Sequence, residues 1–191
     1  MTEKLFLAAD DLLADAFTLA MSILKTGWTP THLVGVWRGG TPAAIAVEEA
    51  LRYHGVETEH MAVKTSAYAA IDTMKREIAV EGLSYLVPRL SPDSRLLIVD
   101  DVFDRGHSLE TLVARLREQC GQAMPRDVKT ACVWYKPSRR ETALAPDWYV
   151  HETEKWLVFP HELLGLTPAE IARHKRVPGD FLQLRPASGG K

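Results

Sequence analysis

The stretch LLIVDDVFDRGHSLETL, residues 96–112, decides the fold. Its first four residues are apolar at consecutive positions, the pattern of a strand buried on both faces of a parallel sheet. Asp100 and Asp101 end that run, Asp104 follows three residues later, and Arg105, Gly106, His107 and Ser108 lead into helical periodicity over residues 108–119. Ser108 is the expected N-cap and Gly121 the expected stop. The same strand, turn and helix order occurs upstream, where THLVGVW (31–37) runs into RGGTP and then into AAIAVEEALRYHG. EHMAVKT (59–65) and VKTACVWY (128–135) read as further strands. Residues 10–25 form an amphipathic helix with Leu13, Phe17, Ala20, Met21 and Leu24 on one face, stopped by Gly27. Strands alternating with helices require crossover connections, so the fold class is α/β, a mainly parallel twisted sheet flanked by helices.

Composition bounds the function. At 191 residues and 46% apolar content the chain can bury an ordinary core. A formal charge of −2 gives no global basic field, which disfavours nucleic-acid binding by bulk electrostatics. Two cysteines, Cys120 and Cys132, make no disulfide framework and show no zinc spacing, as expected in a reducing, cytoplasmic setting. No run approaches the length of a membrane span, and the acidic N-terminal segment lacks the pattern of a secretory leader. The cations of SRR (138–140) and RHKR (173–176) read as solvated surface.

Periodicity weakens between residues 64 and 90, as for a mobile loop flanked by short strands. The strand and helix alternation stops after Pro146, leaving short aromatic strands and one helix that begins near Pro168. The expected organisation is a core over 1–145 with a mobile loop at about 64–82, a small C-terminal hood over 146–177, and a partly disordered tail over 178–191.

Open parallel sheets bind ligands beyond the carboxyl ends of their strands, where Asp100, Asp101 and Asp104 fall. The residues from Asp104 to Ser108 also enter a helix whose first amides lack intrahelical partners. Gly106 permits a tight turn, Ser108 offers a hydroxyl and Arg105 a charge, which together resemble an anion nest. The Walker A spacing is absent. Adjacent carboxylates would repel a bare anion, so the ligand should also carry hydroxyl donors or a metal. A phosphorylated sugar meets both demands.

At this point the chain resembles a known family. LLIVDDVFDRGHSLETL is similar to the phosphoribosyl-pyrophosphate signature of the type I phosphoribosyltransferases: apolar strand, two acidic residues, two spacers, Asp, then a glycine-containing phosphate loop. VGVWRGGTPAA resembles the family's pyrophosphate loop, and residues 64–82 fall where the mobile catalytic loop lies, with Ser66 and Tyr68 similar to the Ser-Tyr pair of the 6-oxopurine members. VWYKPSRR and EKWLVFPHE look like the purine-recognition lysine and the aromatic hood of the xanthine-guanine and hypoxanthine-guanine enzymes.

The resemblance implies a site and a reaction. Asp100 and Asp101 would hold the ribose hydroxyls directly or through Mg²⁺, and Arg105, Gly106, His107 and Ser108 the 5′-phosphate. Arg38, Gly39 and Gly40 would cradle the leaving pyrophosphate, with Arg38, Ser66 and Tyr68 aiding its departure. Asp104 would be the acid/base at purine N7. Lys136 would face the 6-oxo oxygen, Trp156 would stack on the base and Leu157 would contact its edge. Glu162 would help hold a magnesium ion or the base's 2-substituent. The implied activity is purine salvage from phosphoribosyl pyrophosphate by a homodimer or homotetramer, with a donor-sensing regulator of the same fold as the alternative. One departure stands out: the family has Thr or Ser before Gly where this chain has Arg105, which implies either tighter phosphate binding or a differently shaped loop.

Overall fold

The structure is a computed structural model, and it describes residues 3–69 and 76–183. The chain divides into two units, residues 10–154 and a second formed by residues 1–9 with 155–191.

The first unit is built on a six-stranded sheet in the order β4-β3-β2-β5-β6-β7. Its strands are β2 (His32–Trp37), β3 (Glu59–Ala69), β4 (Arg76–Glu81), β5 (Arg95–Phe103), β6 (Asp127–Tyr135) and β7 (Trp148–Glu152). Every pairing is parallel except β3 with β4, which run antiparallel from Lys64 opposite Glu81 to Ala69 opposite Arg76. The segment read as a long polar connection therefore contains ladder on both sides of residues 70–75, which lie outside the described residues.

Helix α2 (Gly40–Tyr53) follows β2, and α4 (His107–Cys120) follows β5. In α4 the left-handed Gly106 is the N-cap and makes no side-chain capping bond, so Ser108 lies inside the helix and does not cap it. Gly121 closes the helix, its N–H donating to the Arg117 carbonyl. A short helix α3 (Leu83–Leu86) precedes β5. Leu96, Leu97, Ile98 and Val99 are all fully buried, as the consecutive apolar run requires. Leu96 and Ile98 share one core with Val34, Phe103, Leu109, Leu112 and Leu116.

Helix α1 (Ala9–Lys25) buries a different face from the one its larger apolar residues suggest. Leu12, Ala16, Leu19, Ala20 and Ile23 are buried, whereas Leu13, Phe17 and Met21 are exposed. Both sets recur at helical spacing, one residue apart. The buried one carries two alanines, which let a helix approach its neighbours closely.

In the second unit β1 (Lys4–Phe6) pairs in parallel with β8 (Trp156–Val158), and α5 (Pro168–His174) begins at a capping box. Thr167 Oγ1 accepts from the Glu170 N–H, and Glu170 accepts in return from the Thr167 N–H at 2.8 Å. Lys4 Nζ lies 2.7 Å from Glu170 Oε1, and this bond, with the cap, holds the Glu170 carboxyl down at about 2. Phe6 stacks on His174. Among the described residues no helix is long and apolar enough to cross a membrane.

The choice of face on α1 is open to measurement. Leu12→Ala should cost about 2–3 kcal/mol in urea unfolding, as large-to-small changes in cores do. Phe17→Ala should cost less than about 1 kcal/mol. The reverse ranking would show that the Phe17 face is the buried one.

Candidate active site

Three neighbouring parallel strands deliver the site. Gly35 of β2 is in register with Val99 of β5, and Phe103 of β5 with Tyr135 of β6. The residues that follow each strand therefore emerge at one edge of the sheet: Arg38, Gly39 and Gly40 after β2, the acidic signature at the end of β5, and Lys136 after β6.

The β2 loop and the acidic pair are in intimate contact. A methyl group at Gly39 would collide with Asp101 Oδ2, and one at Gly40 with the Asp100 Cα. Only glycine lets the two segments approach this closely. The Trp37–Arg38 peptide is cis, and Arg38 is exposed. The Asp101 N–H donates to Asp100 Oδ1 at 2.9 Å, and the Val102 N–H to Asp101 Oδ1 at 2.8 Å. Burial pushes the Asp100 carboxyl well above the ordinary carboxylate range, and the neighbouring Asp101 charge adds to the effect.

Asp104 sits between two cations. Arg139 Nε lies 3.0 Å from Asp104 Oδ1, and Lys136 Nζ lies 3.8 Å from Asp104 Oδ2. Lys136 is only 4% exposed, and its N–H donates to the Phe103 carbonyl at 2.9 Å, which ties the end of β6 to the end of β5. Burying an ammonium is costly without a partner, and Asp104 supplies one. Arg139 belongs to the SRR segment, so one of those cations is drawn into the site rather than left as solvated surface.

In the loop from Asp104 to Ser108, Gly106 has φ +90°, and a methyl there would meet Thr142 Oγ1 and the Phe103 ring. Arg105 Nη1 lies 3.0 Å from Glu141 Oε1, and His107 Nε2 lies 2.8 Å from Glu141 Oε2. The unexpected Arg105 is thus held by a carboxylate 36 positions away in sequence. Nothing local in the sequence marks Arg139 or Glu141 as partners of this loop. Their one signal is that they follow Lys136 on the connection leaving the adjacent strand.

Ser66 lies on β3 opposite Ala79. Tyr68, also on β3, pairs with Glu77 of β4, and its side chain lies outside what the structure describes. Trp156, Leu157 and Glu162 belong to the second unit. There Trp156 is 55% exposed, Leu157 is buried, and Glu162 Oε2 accepts from the Phe159 N–H at 3.0 Å. Trp156 and Glu162, together with Lys4, line one small cavity of about 140 Å³.

Comparison with known proteins places this arrangement. Residues 5–164 match the family described as phosphoribosyl transferase domain. The fold is similar to a purine phosphoribosyltransferase from Pyrococcus horikoshii, at 27% identity and a TM-score of 0.66, over 86% of this chain and 97% of that one. It is similar to a hypothetical protein from Neisseria gonorrhoeae with bound ppGpp, at 19% identity and a TM-score of 0.71, over 91% and 96% of the two chains. A Helicobacter pylori xanthine-guanine-hypoxanthine phosphoribosyltransferase shows 20% identity and a TM-score of 0.64, over 82% and 92%. No curated protein sequence matches the chain. With the family covering most of its length and the acidic signature at the end of the central strand, the chain belongs to the phosphoribosyl transferase domain family and has the type I fold.

Proposed function

We propose that the protein transfers the 5-phosphoribosyl group of phosphoribosyl pyrophosphate to N9 of a 6-oxopurine, hypoxanthine, guanine or xanthine. The products are the nucleoside monophosphate and pyrophosphate. The observation that carries this reading is the pairing of Asp104 with Lys136 at the ends of adjacent strands. A 6-oxopurine presents N7 and the 6-oxo oxygen along one edge, which asks for a proton-accepting group and a cation side by side. An adenine amino group in place of the oxygen would suit the ammonium of Lys136 poorly. The likeness to a purine phosphoribosyltransferase supports a purine as the acceptor.

In this reading Asp100 and Asp101 bind the ribose hydroxyls, and the amides and side chains from Arg105 to Ser108 bind the 5′-phosphate. Arg38 and the amides around Gly39 and Gly40 receive the pyrophosphate. The C1–oxygen bond to pyrophosphate breaks as the C1–N9 bond forms, through a sugar with oxocarbenium character. Holding both ends of the donor fixed supplies much of the rate enhancement. Arg38 stabilises the charge that develops on the leaving group, and Ser66 and Tyr68 are the further residues assigned to catalysis. Asp104, flanked by Arg139 and Lys136, handles the proton at N7. Trp156 is the stacking face, half-exposed as such a face must be, and Leu157 offers its backbone to the base edge.

Asp100 and Asp101 also fit Mg²⁺. A cation beside them would favour the ionised form that burial and mutual repulsion disfavour. No three acidic, histidine or cysteine side chains converge on a metal site among the described residues, so the ion would be shared with substrate oxygens. When bound it would neutralise the departing diphosphate. Glu162 is assigned to a magnesium ion or to the base's 2-substituent. A cytoplasmic location, supported by two buried unpaired cysteines, and a homodimer or homotetramer complete the proposal.

Spectrophotometric assays with donor, Mg²⁺ and each of hypoxanthine, guanine, xanthine and adenine test the reaction. Turnover is expected with at least one 6-oxopurine and not with adenine. Donor binding without turnover of any base would favour the regulatory alternative. Asp104→Asn should lower kcat by about a hundredfold or more while changing the donor KM by at most a few-fold; equal losses in both would make Asp104 a binding residue.

Asp100→Asn tests the acidic pair. Because the folded-state pKa of Asp100 is raised, its carboxyl favours folding while protonated, and that advantage is lost as pH rises above the ordinary 3.8 and through the folded-state value. The variant should therefore gain stability relative to the wild type as pH is raised from 4 towards neutrality. Mg²⁺ should narrow the difference at neutral pH. A gap that does not change with pH would remove the burial effect assigned here.

A further inference from the structure

Glu141 plays no part in the roles assigned so far, yet it meets the phosphate loop at three points. Its N–H donates to the Arg105 carbonyl at 3.0 Å, Oε1 lies 3.0 Å from Arg105 Nη1, and Oε2 lies 2.8 Å from His107 Nε2. These contacts fall on the two residues that flank Gly106, the left-handed residue about which the loop turns into α4. Next to Glu141, Thr142 packs closely enough that a methyl on Gly106 would strike its hydroxyl.

A single exposed ion pair is worth little, and these side chains are each about half-exposed. The arrangement differs from an isolated pair in that one carboxylate gathers two side chains from alternate positions of a tight turn. Without it, the long Arg105 side chain and the His107 ring would be free to take many rotamers around the loop. With it, both are drawn to one anchor, whose carboxyl is held below the ordinary range chiefly by the bond from His107 and also by the Arg105 charge.

We propose that Glu141 is a positioning residue for the donor's 5′-phosphate: by holding Arg105 and His107 on either side of Gly106, it sets the shape in which the loop's amides and Ser108 meet that phosphate. This rests on the reading of residues 105–108 as the 5′-phosphate site. It also gives the departure at Arg105 a consequence, since a small residue at that position could not reach Glu141.

Steady-state kinetics on the full chain test it, with the donor titrated at saturating purine. Glu141→Gln keeps the size and the backbone bond but loses the charge. Its donor KM should rise about fivefold, while kcat and the purine KM stay within about twofold of the wild type. Arg105→Ala should raise the donor KM at least as much, since it also removes a side chain assigned to the phosphate, and the double variant should cost less than the sum of the two, because they share one contact. A donor KM for Glu141→Gln within about twofold of the wild type, a kcat that falls as much as KM rises, or additive losses in the double variant would each overturn the proposal. Wild-type turnover separates this from the reading beneath it. With no wild-type use of the donor both fail, whereas normal wild-type turnover with an unchanged variant overturns the role of Glu141 alone.

Discussion

The parallel register of β2, β5 and β6 is the constraint on which the site depends. Gly35 beside Val99 and Phe103 beside Tyr135 fix where each chain segment leaves the sheet. A slip of one residue would turn every side chain to the opposite face. It would also move Gly39 away from Asp101 and Lys136 away from Asp104. The register is held by a core that tolerates little rearrangement, since Val34, Leu96, Ile98 and Cys132 are all fully buried on these three strands. Apolar packing in the middle of the sheet thus sets polar distances at its edge.

At that edge the connection after β6 supplies the countercharges for the connection after β5. Lys136 and Arg139 face Asp104, and Glu141 faces Arg105 and His107. Each segment carries both signs, and opposite signs meet across the gap. Backbone bonds from Lys136 N–H to the Phe103 carbonyl and from Glu141 N–H to the Arg105 carbonyl fix the spacing. Each loop acts as a template for the other, which lets a turn containing a bulky cation stand where the family has a small residue.

Much of this was legible in the sequence. Consecutive apolar residues at 96–99 gave away the buried central strand, and the Asp100, Asp101, Asp104 pattern marked where it runs towards α4. Gly106 announced a turn, although the chain uses it as the cap and leaves Ser108 inside α4. Other features were hidden because they depend on contacts between distant segments. On α1 the apolar residues cover so wide an arc that periodicity alone could not choose between the Leu12 and Leu13 faces; close packing chose the face with small residues. Arg139 and Glu141 are charged residues in a polar connection, and nothing in their own neighbourhood distinguishes them from solvated surface. Residues 64–69 and 76–81 were obscured in the same way, since an antiparallel ladder with polar residues on its strands lacks a clear hydrophobic alternation.

The pairing of β1 with β8 bears on the order of assembly. The strand that carries Trp156 finds its partner in Lys4–Phe6, almost the whole described chain away. Contacts of such separation are slow to close and cannot form until the later segment has been synthesised. Within residues 10–154 the pairing that spans most sequence is β2 with β5, His32 opposite Leu96, less than half that separation. A ribosome would therefore release the acidic signature beside β2, β3 and β4, already made, while Lys4–Phe6 was still without its ladder. The segment assigned to the base would be the last to take shape.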